Sequence, residues 1–436
     1  MQETTSEVEK GIGLEVFFTD TKGIGGKLKN EPEDFIVDEI PILPAPANEG
    51  KYIIATVKSR NWETNRLIRH LARTLRISRK RIHFAGTKDK RAVTTQLMAF
   101  DGVDKETIEK LKISDIEISN VYTSNKSLDM GDLIGNNFYI VVRDIQLSDV
   151  EINKIVNDDL ECISKLGGFP NFFGIQRFGA VRPITHHLGK FIVHGDFEKA
   201  VFAYAANPLP WENEESHSAR AFLEKTRDFK QALKIYPKQL SFELTMIHYL
   251  ASNPNDFVGA LKQLPKNLLM MFVHAYQAYL FNKILSERIR RQLPLNEPQI
   301  GDVILPIDKN KLPNHDVWID VNDTNIDKIK KAVAEQKAFV SGLVFGSETK
   351  FANNEQGEIE RKIIEKEGLK PNDFIIPKIP EISSSGIRRE LLAQLKVSDI
   401  SLEVSDKTLR LKFQLLKGCY ATSLLREFMK ADVMSY

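Results

Sequence analysis

Cysteine is nearly missing: Cys162 and Cys419 are the only two in 436 residues. Two cysteines build no disulfide framework, and they exclude a structural zinc site of the cysteine-rich kind. Such a chain fits a reducing, cytoplasmic interior. No apolar run approaches the ~18 residues that span a bilayer, so no membrane contact is expected. The first seven residues, Met1 to Glu7, lack the basic and apolar regions of a signal peptide. Net charge is also scarce, at +2, so a uniformly basic or acidic surface is excluded. Several catalytic signatures are absent too. There is no Gly-x4-Gly-Lys-Ser/Thr loop for nucleoside triphosphates and no Gly-x-Ser-x-Gly elbow. Scattered histidines such as His186-His187 read as packing or surface residues, and no metal is expected.

What remains is a folded protein. Hydrophobic residues make up 42% and charged residues 28%, which separates the chain from disordered sequences. The length favours two domains. Short strand-like segments appear at 33–39, 52–57, 81–84, 93–100 and 137–143. Pro41 to Pro46 reads as a loop. Helices are expected at 62–77, 105–111 and 150–166. From about residue 190 helical stretches dominate, at 198–206, 219–233, 247–251, 268–292 and 324–336. Strand texture returns at 400–404 and 409–415, before a helix at 422–430. A helix-rich middle between two mixed segments suggests an insertion into an α+β domain built from both chain ends.

Charge is concentrated rather than abundant. Ten Lys or Arg residues and one acid, Asp89, lie between Arg66 and Arg91. Asn61 reads as the N-cap of the helix that begins this block. At helical spacing Leu67, Ile68, Leu71 and Leu75 share an arc of ~100°, and Arg66, Arg69, Arg73 and Arg76 share the opposite face. Four guanidiniums on one face, with no acid at i±4, repel one another. A solvated face is the ordinary fate of helix charges. A phosphate backbone relieves this repulsion, and polyanion binding is the stronger reading.

The segment after the helix runs Gly86-Thr87-Lys88-Asp89-Lys90-Arg91-Ala92-Val93-Thr94-Thr95-Gln96. Gly86 permits a sharp turn. Asp89 then sits among Lys88, Lys90 and Arg91, and these cations favour its charged form. A charged carboxylate suits a nucleophile or base rather than a general acid. Metal-dependent nucleases need clustered acids and glycoside hydrolases need two carboxylates. One carboxylate suffices for an RNA isomerase that breaks and remakes a glycosidic bond. Pure RNA binding, as in a non-catalytic chaperone of structured RNA, is the alternative, but it gains nothing from an anion among ten cations.

These residues resemble the TruD family of pseudouridine synthases. The loop matches the family's G-x-K-D-x-x-A-x-T-x-Q. Lys29 followed by Pro32-Glu33-Asp34-Phe35-Ile36-Val37-Asp38-Glu39 resembles its first motif. Pro170-Asn171-Phe172-Phe173-Gly174-Ile175-Gln176-Arg177-Phe178-Gly179 resembles P-N-Y-F-G-x-Q-R-F-G, with Phe172 in place of tyrosine. Ala275 to Asn282, Gly386 to Arg389, and Gly418 to Thr422 running on to Leu425-Arg426-Glu427 also fit. The insertion style is similar to archaeal members.

The resemblance implies a fold and a site. A pseudouridine synthase-like mixed sheet from 1–170 and 392–436 would carry catalysis, with an inserted α-rich TRUD domain at 171–391. Asp89 would be catalytic. Lys29 would pair with it and hold it ionised. Asn171 would bond the base or the Asp89 loop, and Phe173 would stack on an extruded uracil. Arg66, Arg69, Arg73, Arg76, Lys88, Lys90 and Arg91 would hold backbone phosphates. Ser383 to Ser385 with Arg388 and Arg389 would form a further phosphate site or a capped helix start. The implied substrate is transfer RNA at uridine 13. No cofactor and no obligate protein partner are implied, and a monomer is expected.

Overall fold

Alternating apolar residues give each strand-like segment one face to bury. The computed structural model shows what those faces meet. It describes residues 1–436, the side chain of Met434 excepted. The chain divides into two compact units. One joins Thr19–Phe169 to Ala393–Tyr436, and the other joins Met1–Phe18 to Pro170–Leu392.

The first unit is built on an eight-stranded mixed sheet. Its strands are β1 (Phe35–Pro41), β2 (Tyr52–Arg60), β3 (Ile82–Phe84), β4 (Val93–Asp101), β5 (Ile116–Ser124), β6 (Leu133–Val142), β7 (Ser401–Ser405) and β8 (Thr408–Leu416). The order is β7-β8-β6-β1-β4-β2-β5, with β3 pairing β4 off this path. One pair, β1 with β4, runs parallel, in register Ile36↔Val93, Val37↔Thr94 and Asp38↔Thr95. Both strands therefore begin at the same end of the sheet, and the segments entering them arrive there together.

Three helices matter here: α1 (Thr64–Thr74), α2 (Asp149–Leu166) and α3 (Ala421–Met429). Leu67, Ile68, Leu71 and Ala72 of α1 pack on Ile53, Ala55, Val57, Met98 and Phe100 of the sheet. Burial of a side chain such as Leu71 contributes about 1.5–3 kcal/mol. The helix is capped by Glu63, whose carboxylate accepts from the amides of Asn65 and Arg66, both at 2.9 Å. Asn61, the expected cap, lies outside the helix with φ +60, a conformation that asparagine tolerates. Helix α2 opens with a reciprocal Ser148–Glu151 capping box and ends at Gly167, φ +77. Together α2 and α3 cover Phe35, Val37, Ile140, Val142, Leu409, Leu411 and Phe413.

The second unit centres on the helix Lys266–Arg290, whose buried residues occur on all sides. Helices Thr185–Val193, Phe197–Ala205 and Asn354–Lys366 pack into the same core. A four-stranded antiparallel sheet joins them, ordered Ile319–Asp320, Val303–Pro306, Ala338–Val344, Ile387–Glu390. The expected helix over 219–233 is two helices, broken where Arg227 turns left-handed at φ +55 and Asp228 caps the second. Residues 1–18 were expected with the sheet. They fold instead along the long helix: Asn282 donates to the Ile12 carbonyl at 3.1 Å, Ser286 to Gly13 at 2.9 Å, and Lys283 pairs with Glu15 at 2.8 Å. No helix among the described residues is long and apolar enough to cross a membrane.

Candidate active site

Asp89 lies in the connection from β3 to β4, just before β4 begins. Lys29 lies just before β1. Because β1 and β4 run parallel, the two meet: Lys29 Nζ is 3.6 Å from the Asp89 carboxylate. The lysine side chain is 12% exposed and the aspartate 41%, so the cation is sheltered while the anion is open to a substrate. Lys29 also sits 4.3 Å above the Phe35 ring, a cation–π contact. Its backbone is left-handed, φ +57. That is unusual for a lysine, and such strain is concentrated at functional sites.

The loop is held by the residue before Asp89. Lys88 donates its amide to Thr64 Oγ1, at the first turn of α1, at 2.8 Å. Its ammonium turns inward to Glu39 on β1 at 2.5 Å, with side chains 7% and 1% exposed. Glu39 accepts in addition from the Leu97 amide at 3.1 Å, just past the last β1–β4 register pair. Lys88 was expected among the phosphate contacts. It is instead a buried ion-pair partner, because Glu39 would otherwise be a buried, uncompensated charge. The neighbouring strand positions are polar as well: Ser59 and Thr94 hydroxyls lie 3.2 Å apart, and Gln96 is buried. A run of Thr94, Gln96 and Glu39 at core-facing positions is the sequence signal that could have located this interior.

Arg66, Arg69, Arg73 and Arg76 are all exposed, as are Lys90 and Arg91. Among the described residues none of the six forms an ion pair. Arg66 lies 4.9 Å over the Trp62 ring. The helix therefore presents uncompensated positive charge beside the loop that carries Asp89.

The aromatic motif lies in the other unit, and its polar residues are committed there. Asn171 is fully buried. Its amide donates to Glu390, at the carbonyl (3.1 Å) and the carboxylate (3.0 Å), and its oxygen accepts from Arg389 at 2.6 Å. Both amide protons of Asn171 are thus used within its own unit. Burial alone pushes the Glu390 carboxyl up. The hydrogen bond from His315 and the charge of Arg389 outweigh it and hold the group below its ordinary value. Phe173 is held through its backbone by the two ends of the Asn282 amide, at 2.9 and 3.0 Å. Its ring meets Phe281 edge-on at 5.4 Å and lies 4.2 Å below the Arg389 guanidinium.

Of Ser383 to Ser385, Arg388 and Arg389, the two arginines are buried and bonded within the protein. Arg388 is fully buried and pairs with Glu360 at 2.7 Å. Ser383 accepts from the Ile376 amide and Ser384 donates to Gln277. Residues Ile387–Glu390 are a strand, not a helix start.

The family model "tRNA pseudouridine synthase D (TruD)" matches residues 11–428. The chain belongs to the TruD family. It is 44% identical to the "Probable tRNA pseudouridine synthase D" of Methanosarcina barkeri, over 98% of each chain. The protein of the same description from Archaeoglobus fulgidus is 38% identical over 98% of this chain and all of its own length. A crystal structure of the TruD protein from Methanosarcina mazei superposes with a TM-score of 0.84 at 42% identity, covering 99% of both chains. The TruD motifs read from the sequence thus fall on a chain that matches this family over nearly its full length.

Proposed function

We propose that this TruD-family chain converts uridine 13 of transfer RNA to pseudouridine, with Asp89 as the catalytic carboxylate. The carrying observation is the Lys29–Asp89 pair: a sheltered cation 3.6 Å from a half-exposed anion, beside a helix face of four unpaired arginines. The arginines, with Lys90 and Arg91, bind phosphates. The cost of extruding the uridine from its stack is on the order of a few kcal/mol, and binding of the RNA backbone offsets it. Phe173 stacks on the base, and Asn171, which accepts from Arg389, acts by fixing that guanidinium over the phenylalanine ring.

Chemically, the N1–C1′ bond breaks, the uracil turns in place, and C5 bonds to C1′. The C5 proton is lost and N1 gains one, so atoms balance without an external reactant. A carboxylate has three ways to begin: attack at C1′, addition at C6, or removal of the C2′ proton. Lys29 sets a positive charge beside the Asp89 carboxylate for any of them. In this reading the sheet unit is the catalytic domain and the helical unit the inserted TRUD domain.

The test uses unmodified tRNA transcripts, with pseudouridine mapped by chemical labelling. The wild-type chain should modify position 13 and leave a transcript without uridine there unmodified. Asp89→Asn should bind the transcript and modify nothing. Turnover by Asp89→Asn at the wild-type rate refutes the assignment.

A further inference from the structure

The motif ending in Arg426-Glu427 has no part in the chemistry above, yet it is buried. Arg426 and Glu427 are 3% and 1% exposed, at the end of α3. The residue after α3's end, Lys430, is also buried, with its side chain 4% exposed. Lys430 occupies the left-handed position that closes the helix, φ +44. Glycine is the favoured residue there. Here a lysine occupies it, with its side chain turned inward.

All three ammonium protons have acceptors. Lys430 Nζ donates to Thr19 Oγ1 at 2.7 Å, Thr21 Oγ1 at 3.0 Å and the Glu427 carbonyl at 3.1 Å. Asp159 of α2 stands 3.9 Å away and accepts from Thr21 at 3.0 Å. Glu427 accepts from the Thr19 amide at 2.9 Å. The charged groups facing Lys430 are thus Asp159, Glu427, Arg426 and Asp20. Burial pushes the Asp159 carboxyl up to about 6 and the Lys430 ammonium down.

Thr19 and Thr21 begin a segment, residues 19–29, that has no helix or strand of its own. Gly23, Gly25 and Gly26 in it are all left-handed, at φ +74, +66 and +90. Such a segment loses much entropy on ordering and holds one shape only if anchored from outside. The anchors follow one another along it. A Cβ at Gly23 would lie 2.6 Å from the Met429 carbonyl, so the segment runs against the last turn of α3. The Ile24 amide donates to Phe428 at 2.9 Å, Gly25 to Met429 at 2.8 Å, Lys27 to Arg143 at 2.8 Å and Leu28 to Ser435 at 2.8 Å. The next residue is Lys29.

We propose that Lys430, braced by Asp159 and Glu427, is a positioning residue: it pins the 19–29 strap to the end of α3 and so sets Lys29 against Asp89. The proposal rests on the function proposed above. Lys430→Met removes the pin from the α3 side, and Thr21→Val removes one of its acceptors from the strap side with a small change in shape. Two readouts are taken on the full chain. In tRNA pseudouridylation, kcat should fall on the order of tenfold to a hundredfold for Lys430→Met, while KM for the transcript stays within about twofold. Lys430→Met should cost little more when Lys29 is already methionine, since Lys430 acts through it. Hydrogen exchange at the Gly25 and Leu28 amides should quicken in both Lys430→Met and Thr21→Val, with the α3 amides unchanged. Should Lys430→Met fail to fold, Thr21→Val carries both readouts, with a smaller loss of kcat. Wild-type kcat in either variant, losses that multiply with Lys29→Met, or unchanged exchange along the strap overturns the proposal. If the wild-type chain forms no pseudouridine, the proposed function fails. The exchange measurement then still decides whether Lys430 anchors the strap.

Discussion

Replacing Glu39 by glutamine tests how the loop before β4 is held. The carboxylate is 1% exposed and 2.5 Å from Lys88, itself 7% exposed. Glutamine keeps an acceptor for the Leu97 amide but removes the charge, which leaves the Lys88 ammonium buried and unpaired. Breaking a buried ion pair from one side costs about 3–5 kcal/mol, a factor of roughly 10² to 10⁴ in the folding equilibrium. The double variant Glu39→Gln/Lys88→Met removes both charges and should be more stable than Glu39→Gln alone by about 1–3 kcal/mol. A two-unit chain does not unfold in one step, so the probe must report on the sheet unit. The three tryptophans are Trp62, Trp211 and Trp318, and only Trp62 belongs to that unit. Urea unfolding is therefore followed by fluorescence in a Trp211→Phe/Trp318→Phe background. A loss below about 1 kcal/mol for Glu39→Gln, in the range of exposed pairs, refutes the reasoning. So does a double variant no more stable than Glu39→Gln.

Other outcomes follow from the same geometry. Replacing Arg69 and Arg73 together by glutamine should weaken tRNA binding and reduce the slope of log K against log salt by about 1 for each phosphate that is no longer neutralised; an unchanged slope in binding titrations removes the helix from the interface. His186 is buried against Tyr279 and Phe178, and burial pushes its imidazole down to about 3. The unfolded chain then takes up a proton near the ordinary histidine value while the folded chain does not, so stability falls as pH drops from about 6.5 toward 3; in melting curves across that range His186→Phe should flatten the loss. Asp159 has the opposite sign. Its folded value of about 6 lies above the ordinary carboxylate value, so the folded chain holds the extra proton. Its stabilising effect is full in acid and disappears as pH rises through 6, and Asp159→Asn should remove that slope.

The loop 86–96 could be read from sequence because its chemistry is local: one acid among cations after a glycine turn. Most sheet strands were legible from their alternation. Strand β5 shows the same alternation at Ile116 and Ile118, but its exposed, polar composition hid it. Burial of charge was not legible. Lys88 and Arg388 look like surface cations in a one-dimensional reading. Their partners, Glu39 and Glu360, lie 49 and 28 residues away, and only strand register and helix packing bring them together. The partner of Asn171 was hidden for the same reason, since its two donors are used by Glu390, which is 219 residues distant. The cap of α1 failed more simply: asparagine is the better statistical cap, but a left-handed Asn61 placed Glu63 at the helix start.

The single parallel pair in the sheet has a consequence for how this chain tolerates change. Lys29 and Asp89 are 60 residues apart by their numbering, yet their spacing is set across one ladder, about 4.8 Å wide. Nothing in that spacing measures the length of chain between them. Extra residues in the proline-rich turn after β1 should leave the β1–β4 register unchanged. Sliding β1 by one position against β4 swings Glu39 to the other face of the sheet, away from Lys88.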